Sequence, residues 1–301
     1  MNQPASTPTQ QPAPRTAVIL ALLTVYLVWG STYLGIKIAV ESIPPLFMSG
    51  WRFIIAGLGL LLFLRASGAA WPTRQEWISS AKVGLLLMVG GNGGVTLAQY
   101  LGISSGIAAT LVALMPVWLA LWETLWGTRP SRLEWSGMAL GFLGVLLLFS
   151  KSGFRSSPLA VATILLAPVC WSLGSSLSRR LALPKGFMAS AAEMLTGGVA
   201  LLALSFVLGE RFEHAPSPRS GYAFFYLTIF GSLLGYSAYM YLLANVRPTL
   251  ASSYTYVNPA IAVLLGVWLA NESIGWPGLG ALLAILLGVG LIGVSRGQET
   301  N

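Results

Sequence analysis

Charge is the scarcest property of this 301-residue chain. Charged residues are 9% of it, against roughly 25% in soluble domains. There is one cysteine, Cys170, and one histidine, His214. A lone cysteine excludes an internal disulfide and a Cys-based metal site. Cys170 stands beside Trp171 in an apolar stretch and reads as a small packed side chain. His214 falls in the polar 210–219 segment, so no intramembrane Ser–His pair can form. There is no HExxH motif, no phosphate-binding loop and no pair of acids at mid-span depth. An enzyme is therefore not expected, nor a metal or cofactor. The net charge of +8 suggests nucleic acid, but the cations sit in short segments between apolar runs. No nucleic-acid partner is expected. The cations fit the positive-inside rule of membrane proteins better.

What the chain has in quantity is apolar residues, 55% of the total, with mean hydropathy +0.74. A membrane span needs roughly 20 such residues. Ten stretches qualify, at about 16–39, 46–66, 77–100, 103–126, 133–150, 158–181, 187–208, 220–244, 249–270 and 276–295. They are continuously apolar, not alternating, which implies helices and excludes a barrel. The first run is too long for a signal-peptide core and reads as a retained span. Residues 1–15, rich in Pro and Gln, are expected to be disordered. With the N-terminus taken as cytoplasmic, one side carries eleven Lys and Arg and the other five, Arg52 lying within a span. That balance, and an even number of spans, places both termini in the cytoplasm of a bacterial inner-membrane protein.

The chain also repeats itself. Thr110 to Gly144 can be laid on Ser253 to Leu287 at a constant offset of 143, so that Pro116 falls on Pro259, Arg129 on Glu272 and Gly137 on Gly280. Upstream the offset is 142, pairing Trp29 with Trp171 and Lys37 with Arg179. At an offset of 141, Gly57 falls on Gly198 and Arg52 on Glu193. Five spans per copy is an odd number, so the second copy enters the bilayer from the opposite side. The expected fold is an all-α membrane protein of ten transmembrane helices in two inverted five-helix repeats, residues 16–150 and 151–295, with a short tail at 296–301. Alternating-access transporters use this arrangement, with the solute site near the midplane.

Counting to the middle of each span gives a candidate site for a small-molecule substrate. It contains Trp29, Ser31, Asn92, Met115, Trp171, Ser232, Tyr236 and Asn258, with Thr96, Gln99, Tyr100, Tyr239 and Tyr254 within two or three turns. A buried amide is costly unless it faces protein or water. Trp and Tyr add apolar faces with a polar tip, and ring faces can also hold a cation. Pro116 and Pro259 each remove a helical hydrogen bond and are expected to break or kink their helices. Packing is the alternative role for the deep aromatics, and an interhelical hydrogen bond the alternative for Asn92 and Asn258.

Lys37, Arg52, Glu123 and Glu193 stand inside or at the edge of a span. Because the repeat swaps sign at two positions, two pseudo-symmetric ion pairs are candidate gates: Arg52 with Glu272, and Glu193 with Arg129. Snorkelling to the headgroups is the alternative. Gly288, Gly290 and Gly293 match a dinucleotide fingerprint in letters only, since they lie within an apolar run. Like Gly137, Gly141 and Gly144, they read as small residues for close helix packing, against the bundle or across a dimer. A monomer or weak dimer in the lipid bilayer is expected.

The segments VWGSTYLGIKIAVESIPPLFMSGWRFIIAG and ASSYTYVNPAIAVLLGVWLANESIG resemble the first two spans and the ninth span of EamA-type proteins of the drug/metabolite transporter superfamily. GNGGVTLAQY, SGIAAT and LEWSGMALGFLGV resemble its YedA-like inner-membrane branch. Arg129 departs from the repeat, standing where the second copy has Glu272. The resemblance covers about 16–295 and implies two inverted five-helix repeats around a central cavity. It also implies export of small metabolites such as amino acids, the activity of YddG-like relatives, or of toxic compounds. The neutral aromatic set suits a neutral or aromatic amino acid; efflux of drugs or toxic cations is the alternative.

Overall fold

The computed structural model describes residues 14–103, 105–149, 157–261 and 276–294. Among them every regular element is a helix. The helices are α1 (Arg15–Ala39), α2 (Pro45–Ala66), α3 (Arg74–Tyr100), α4 (Ser105–Val112), α5 (Met115–Leu125), α6 (Arg132–Phe149), α7 (Pro158–Ser178), α8 (Phe187–Val207), α9 (Pro218–Asn245), α10 (Pro248–Ser252) and α11 (Trp276–Val294). Residues 254–261 are also helical. Seven helical segments are long and apolar enough to cross a membrane, the fourth being Ile107–Leu125, which runs through the α4–α5 turn. The other helical stretches are α6, α11 and 248–261, the last interrupted by a turn at Ser253.

Local chemistry sets the helix ends. Pro45, Pro158, Pro218 and Pro248 open their helices, where a missing N–H costs nothing. Ser157 and Ser217 accept from the N–H of Ala160 and Ser220, and Thr73 forms a capping box with Glu76. Gly68 and Gly209, 141 residues apart, follow α2 and α8 with φ of 89° and 70°, which other residues adopt only with strain.

Among the described residues several helix pairs cross with backbones almost touching, α2 with α8 and α6 with α11 among them. A Cβ on Gly50 would lie 2.9 Å from Leu202 N, and one on Gly57 would lie 2.9 Å from Ala191 O. Rising residue numbers on α2 therefore meet falling numbers on α8: the pair is antiparallel. The same holds for α6 and α11, where Gly137 meets Gly288 and Gly144 meets Ala281 and Ile285. The Gly-rich fifth and tenth stretches thus pack against each other. With no hydrophobic drive between helices in lipid, such close approach supplies the dispersion contacts that hold them.

The long helices α3 and α9 are not regular. Each contains a π-helical segment, Leu85–Gly93 in α3 and Leu227–Tyr236 in α9. The two begin 142 residues apart and end 143 apart. The fourth span is broken at 113–114, immediately before α5, where Pro116 sits in the first turn. At Pro259 the helix is unbroken from 254 to 261, and the interruption of this stretch lies at Ser253. There the hydroxyls of Ser252, Ser253 and Thr255 bond back to the carbonyls of Thr249, Leu250 and Ser252. Such bonds compete with the helix ladder and bend it.

Candidate substrate cavity

A cavity of about 70 Å³ lies among α1, α2, α3, α4, α7, α9 and the 254–261 helix. One water needs only ~10–15 Å³ on this measure, so the space holds a few waters and is constricted. The π segments position its polar wall. A π turn widens the helix and turns side chains off the regular face, and such bulges recur at functional sites. Gly91 and Asn92 come from the first segment, Gly231 and Tyr236 from the second. Gly91 is needed for space: a Cβ there would lie 2.5 Å from the Trp171 ring.

Aromatic rings make the floor. Trp29 packs against Trp171 at 5.4 Å between centroids, Tyr239 at 5.2 Å and Tyr254 at 4.8 Å. Its indole N–H donates to Gly231 O at 2.9 Å, an acceptor on the π segment. Trp171 also meets Tyr236 edge-on at 6.4 Å. Pro168, one turn from Trp171, lies inside α7 and on the wall.

Polar groups in this wall are incompletely satisfied. The Asn92 side-chain oxygen accepts from Arg52 Nη2 at 2.7 Å. Both amide atoms of Asn258 and the Trp171 indole N–H lack a full hydrogen bond among the described residues. Tyr33 lies beside the Asn258 amide. Buried polar groups are normally paired, so orphaned atoms on residues of the cavity wall set this region apart from the packed interior.

The structure brings Trp29, Asn92, Trp171, Tyr236, Tyr254 and Asn258 to one cavity. Others of the expected set lie elsewhere. Tyr100 is 51% exposed at the end of α3, where it fits an interfacial anchor. Ser31 turns to Val28 O and the Tyr226 hydroxyl. Thr96 is buried against Ser49 and Asn92. Met115 is core, and Gln99 and Ser232 are buried away from the wall without partners. Tyr239 lies under Trp29 and shares a hydrogen bond with Ser175 at 2.6 Å. Counting along a span gives depth, and not the face that each helix turns inward.

Residues absent from the expected set also line the cavity, among them Thr32, Tyr33, Ile36, Phe53, Val95, Val112 and Pro168. Spacing held the signal for Tyr33, which is four residues from Trp29 and so on the same helix face. Arg52, expected to gate one end, stands in the wall.

Of the two expected gate pairs, Glu193 with Arg129 is not formed among the described residues. Arg129 is exposed, and Glu193 is fully buried with its side-chain Oε2 accepting from the Tyr236 hydroxyl at 2.6 Å. Glu272 lies outside the described residues. Instead Glu123 on α5 receives both ends of the Arg180 fork at 2.9 Å, just past α7. Glu134 on α6 pairs with Arg247 at 3.0 Å, just before α10. Both pairs join elements of the first half of the chain to elements of the second. A second hollow, of about 620 Å³, opens between the ends of α7 and α9 and the start of α8.

Comparison with known proteins agrees with this geometry. Residues 16–150 and 158–294 each match the model of the EamA-like transporter family. The chain is 42% identical over 266 residues to the inner membrane transporter YedA of Escherichia coli (strain K12), covering 87% of each. It is 25% identical to the transporter YoaV of Bacillus subtilis (strain 168), covering 84% of this chain and 88% of that one. A crystal structure superimposes with a TM-score of 0.78 at 21% identity, covering 96% of this chain and all of the other, a likeness of fold alone.

Proposed function

The chain belongs to the EamA-like transporter family, membrane transporters and not enzymes, and from that premise we propose that it exports small organic solutes, foremost neutral or aromatic amino acids, across the bacterial inner membrane. The observation that carries this reading is the cavity itself: aromatic faces, an orphan amide and a constricted space at mid-bundle. Solute sites are mostly apolar with a few placed polar groups.

The architecture of the proposal is ten spans in two inverted repeats. Three pairs of features support it. The counterpart stretches α2 and α8 cross antiparallel, as do α6 and α11. The contact of Gly50 with Gly198 is matched, at an offset of 141, by that of Gly57 with Ala191. The two π segments fall at corresponding places. A two-fold axis in the membrane plane requires such reciprocal contacts. Both termini are cytoplasmic in this reading, and the Glu123–Arg180 and Glu134–Arg247 pairs close the cytoplasmic end while the cavity faces the other half. Rocking of the halves would break these pairs in turn.

Toxic-cation efflux is the weaker reading, because Arg52 puts the wall's one charge, among the described residues, at positive sign. The test is flux of a labelled solute panel into proteoliposomes, with and without a pH gradient. Saturable uptake of neutral amino acids above empty vesicles is expected. Uptake of lipophilic cations alone would overturn the proposal.

A further inference from the structure

We propose that Arg52 is the dock for a carboxylate carried by the transported solute, an inference that rests on the cavity being the transport site. A guanidinium is charged at any physiological pH. Buried charges are normally paired with an opposite charge, since leaving one unpaired in low dielectric is costly. Arg52 is 3% exposed, two turns into α2, and stacks over the Phe53 ring at 4.5 Å. Its guanidinium turns inward to Asn92 on α3.

No acid neutralises it among the described residues. The chain has no aspartate and nine glutamates. Glu123 is held by Arg180 and Glu134 by Arg247. Glu193 accepts from Tyr236, and Glu210 from Ser205 and the N–H groups of Leu46 and Phe47. Glu41 pairs with Arg219 at the surface. Of the guanidinium nitrogens only Nη2 has an acceptor, the neutral side-chain oxygen of Asn92, and Nε has none. The fork is thus oriented by Asn92 and left without its natural counterpart. A carboxylate accepts two parallel N–H bonds from such a fork, and charge-assisted bonds of this kind are about twice as strong as neutral ones.

The rest of the wall fits the remainder of such a solute. Trp29, Tyr254 and Tyr236 offer ring faces, and Asn258, beside Tyr33, brings an amide to the same wall. Nothing in the described wall is anionic, so an amine without a carboxylate meets only repulsion from Arg52. The solute class is therefore a small carboxylate with an apolar body, with or without an amino group.

The experiment measures thermal stabilisation of the purified protein in detergent by phenylalanine, 3-phenylpropanoate, phenylalaninamide, phenethylamine and inorganic phosphate. The two carboxylates are expected to act at concentrations at least about tenfold lower than the amide and the amine. Arg52→Gln is expected to erase that preference, and Arg52→Lys to keep part of it. Equal action of carboxylate and amide on the wild-type protein, action of phosphate alone, or no stabilisation by any probe overturns the dock, whether or not the Arg52 variants fold. An unchanged preference in folded Arg52→Gln overturns it too. Carboxylate binding without flux in proteoliposomes would sink the transport reading and leave the dock standing.

Discussion

Gly198→Leu will yield no monodisperse protein on extraction, whereas Gly59→Leu, on the α2 helix that Gly198 packs against, will extract as wild type. Gly198 of α8 lies on the crossing with α2, where a Cβ would sit 2.9 Å from Ile54 N and 3.0 Å from Gly50 O. Both neighbours are backbone and cannot rotate aside. Admitting a leucine means separating the helices along their closest contact. Ordinary overpacking costs about 1–3 kcal/mol, and this clash stands at the upper end or beyond. Folded proteins have only ~5–15 kcal/mol in hand. A Cβ on Gly59 meets nothing within 4 Å, so that site takes a leucine on the lipid side. Size-exclusion profiles of the two variants decide the matter. Equal, sharp peaks would show that this crossing does not hold the fold.

The second large effect concerns transport. Trp171→Ala will lower solute flux at least about tenfold, the equivalent of ~1.4 kcal/mol of lost contact, with protein still in the membrane. Trp171 joins Trp29, Tyr236 and Tyr239 and rests on Gly91. It is only half-buried, so its loss costs the fold less than loss of a core tryptophan, for which ~3–5 kcal/mol is usual. Trp171→Phe keeps a ring face and will retain most of the flux. The measurement is initial uptake per milligram of reconstituted protein. If Trp171→Ala moves every solute at the wild-type rate, the cavity is not the route.

Much of the helical layout is legible in the residues. The α1, α2 and α8 boundaries fall within one residue of the apolar stretches; Pro14 and Pro45 mark the starts of α1 and α2, and Gly68 and Gly209 follow the ends of α2 and α8. The internal offset of about 142 relates Trp29 to Trp171, and the two rings share one floor. The π segments are not legible: neither LLLMVGGNG nor LTIFGSLLGY carries a composition that separates i→i+5 from i→i+4 bonding. That hidden change of register is why depth puts Ser232 in the site while the π segment gives the wall Gly231 instead, beside the expected Tyr236. Charge pairing is obscured for a related reason. Repeat symmetry points to Arg129 and Glu193, but pairing depends on reach, and Arg180 lies directly opposite Glu123. Arg52 reads as half of a gate pair because a sequence shows depth and not burial.

All of this depends on a chamber at mid-bilayer that water and solute can enter. The direct measurement is thiol labelling of Asn258→Cys in a Cys170→Ser background, with membrane-impermeant reagent applied to each face of sealed vesicles. Asn258 is 1% exposed and lies on the cavity wall, so the chamber must open for reagent to arrive. Labelling that a saturating transported amino acid suppresses is the predicted result. An introduced thiol that stays inert from both faces, in vesicles that are carrying solute, would contradict the account.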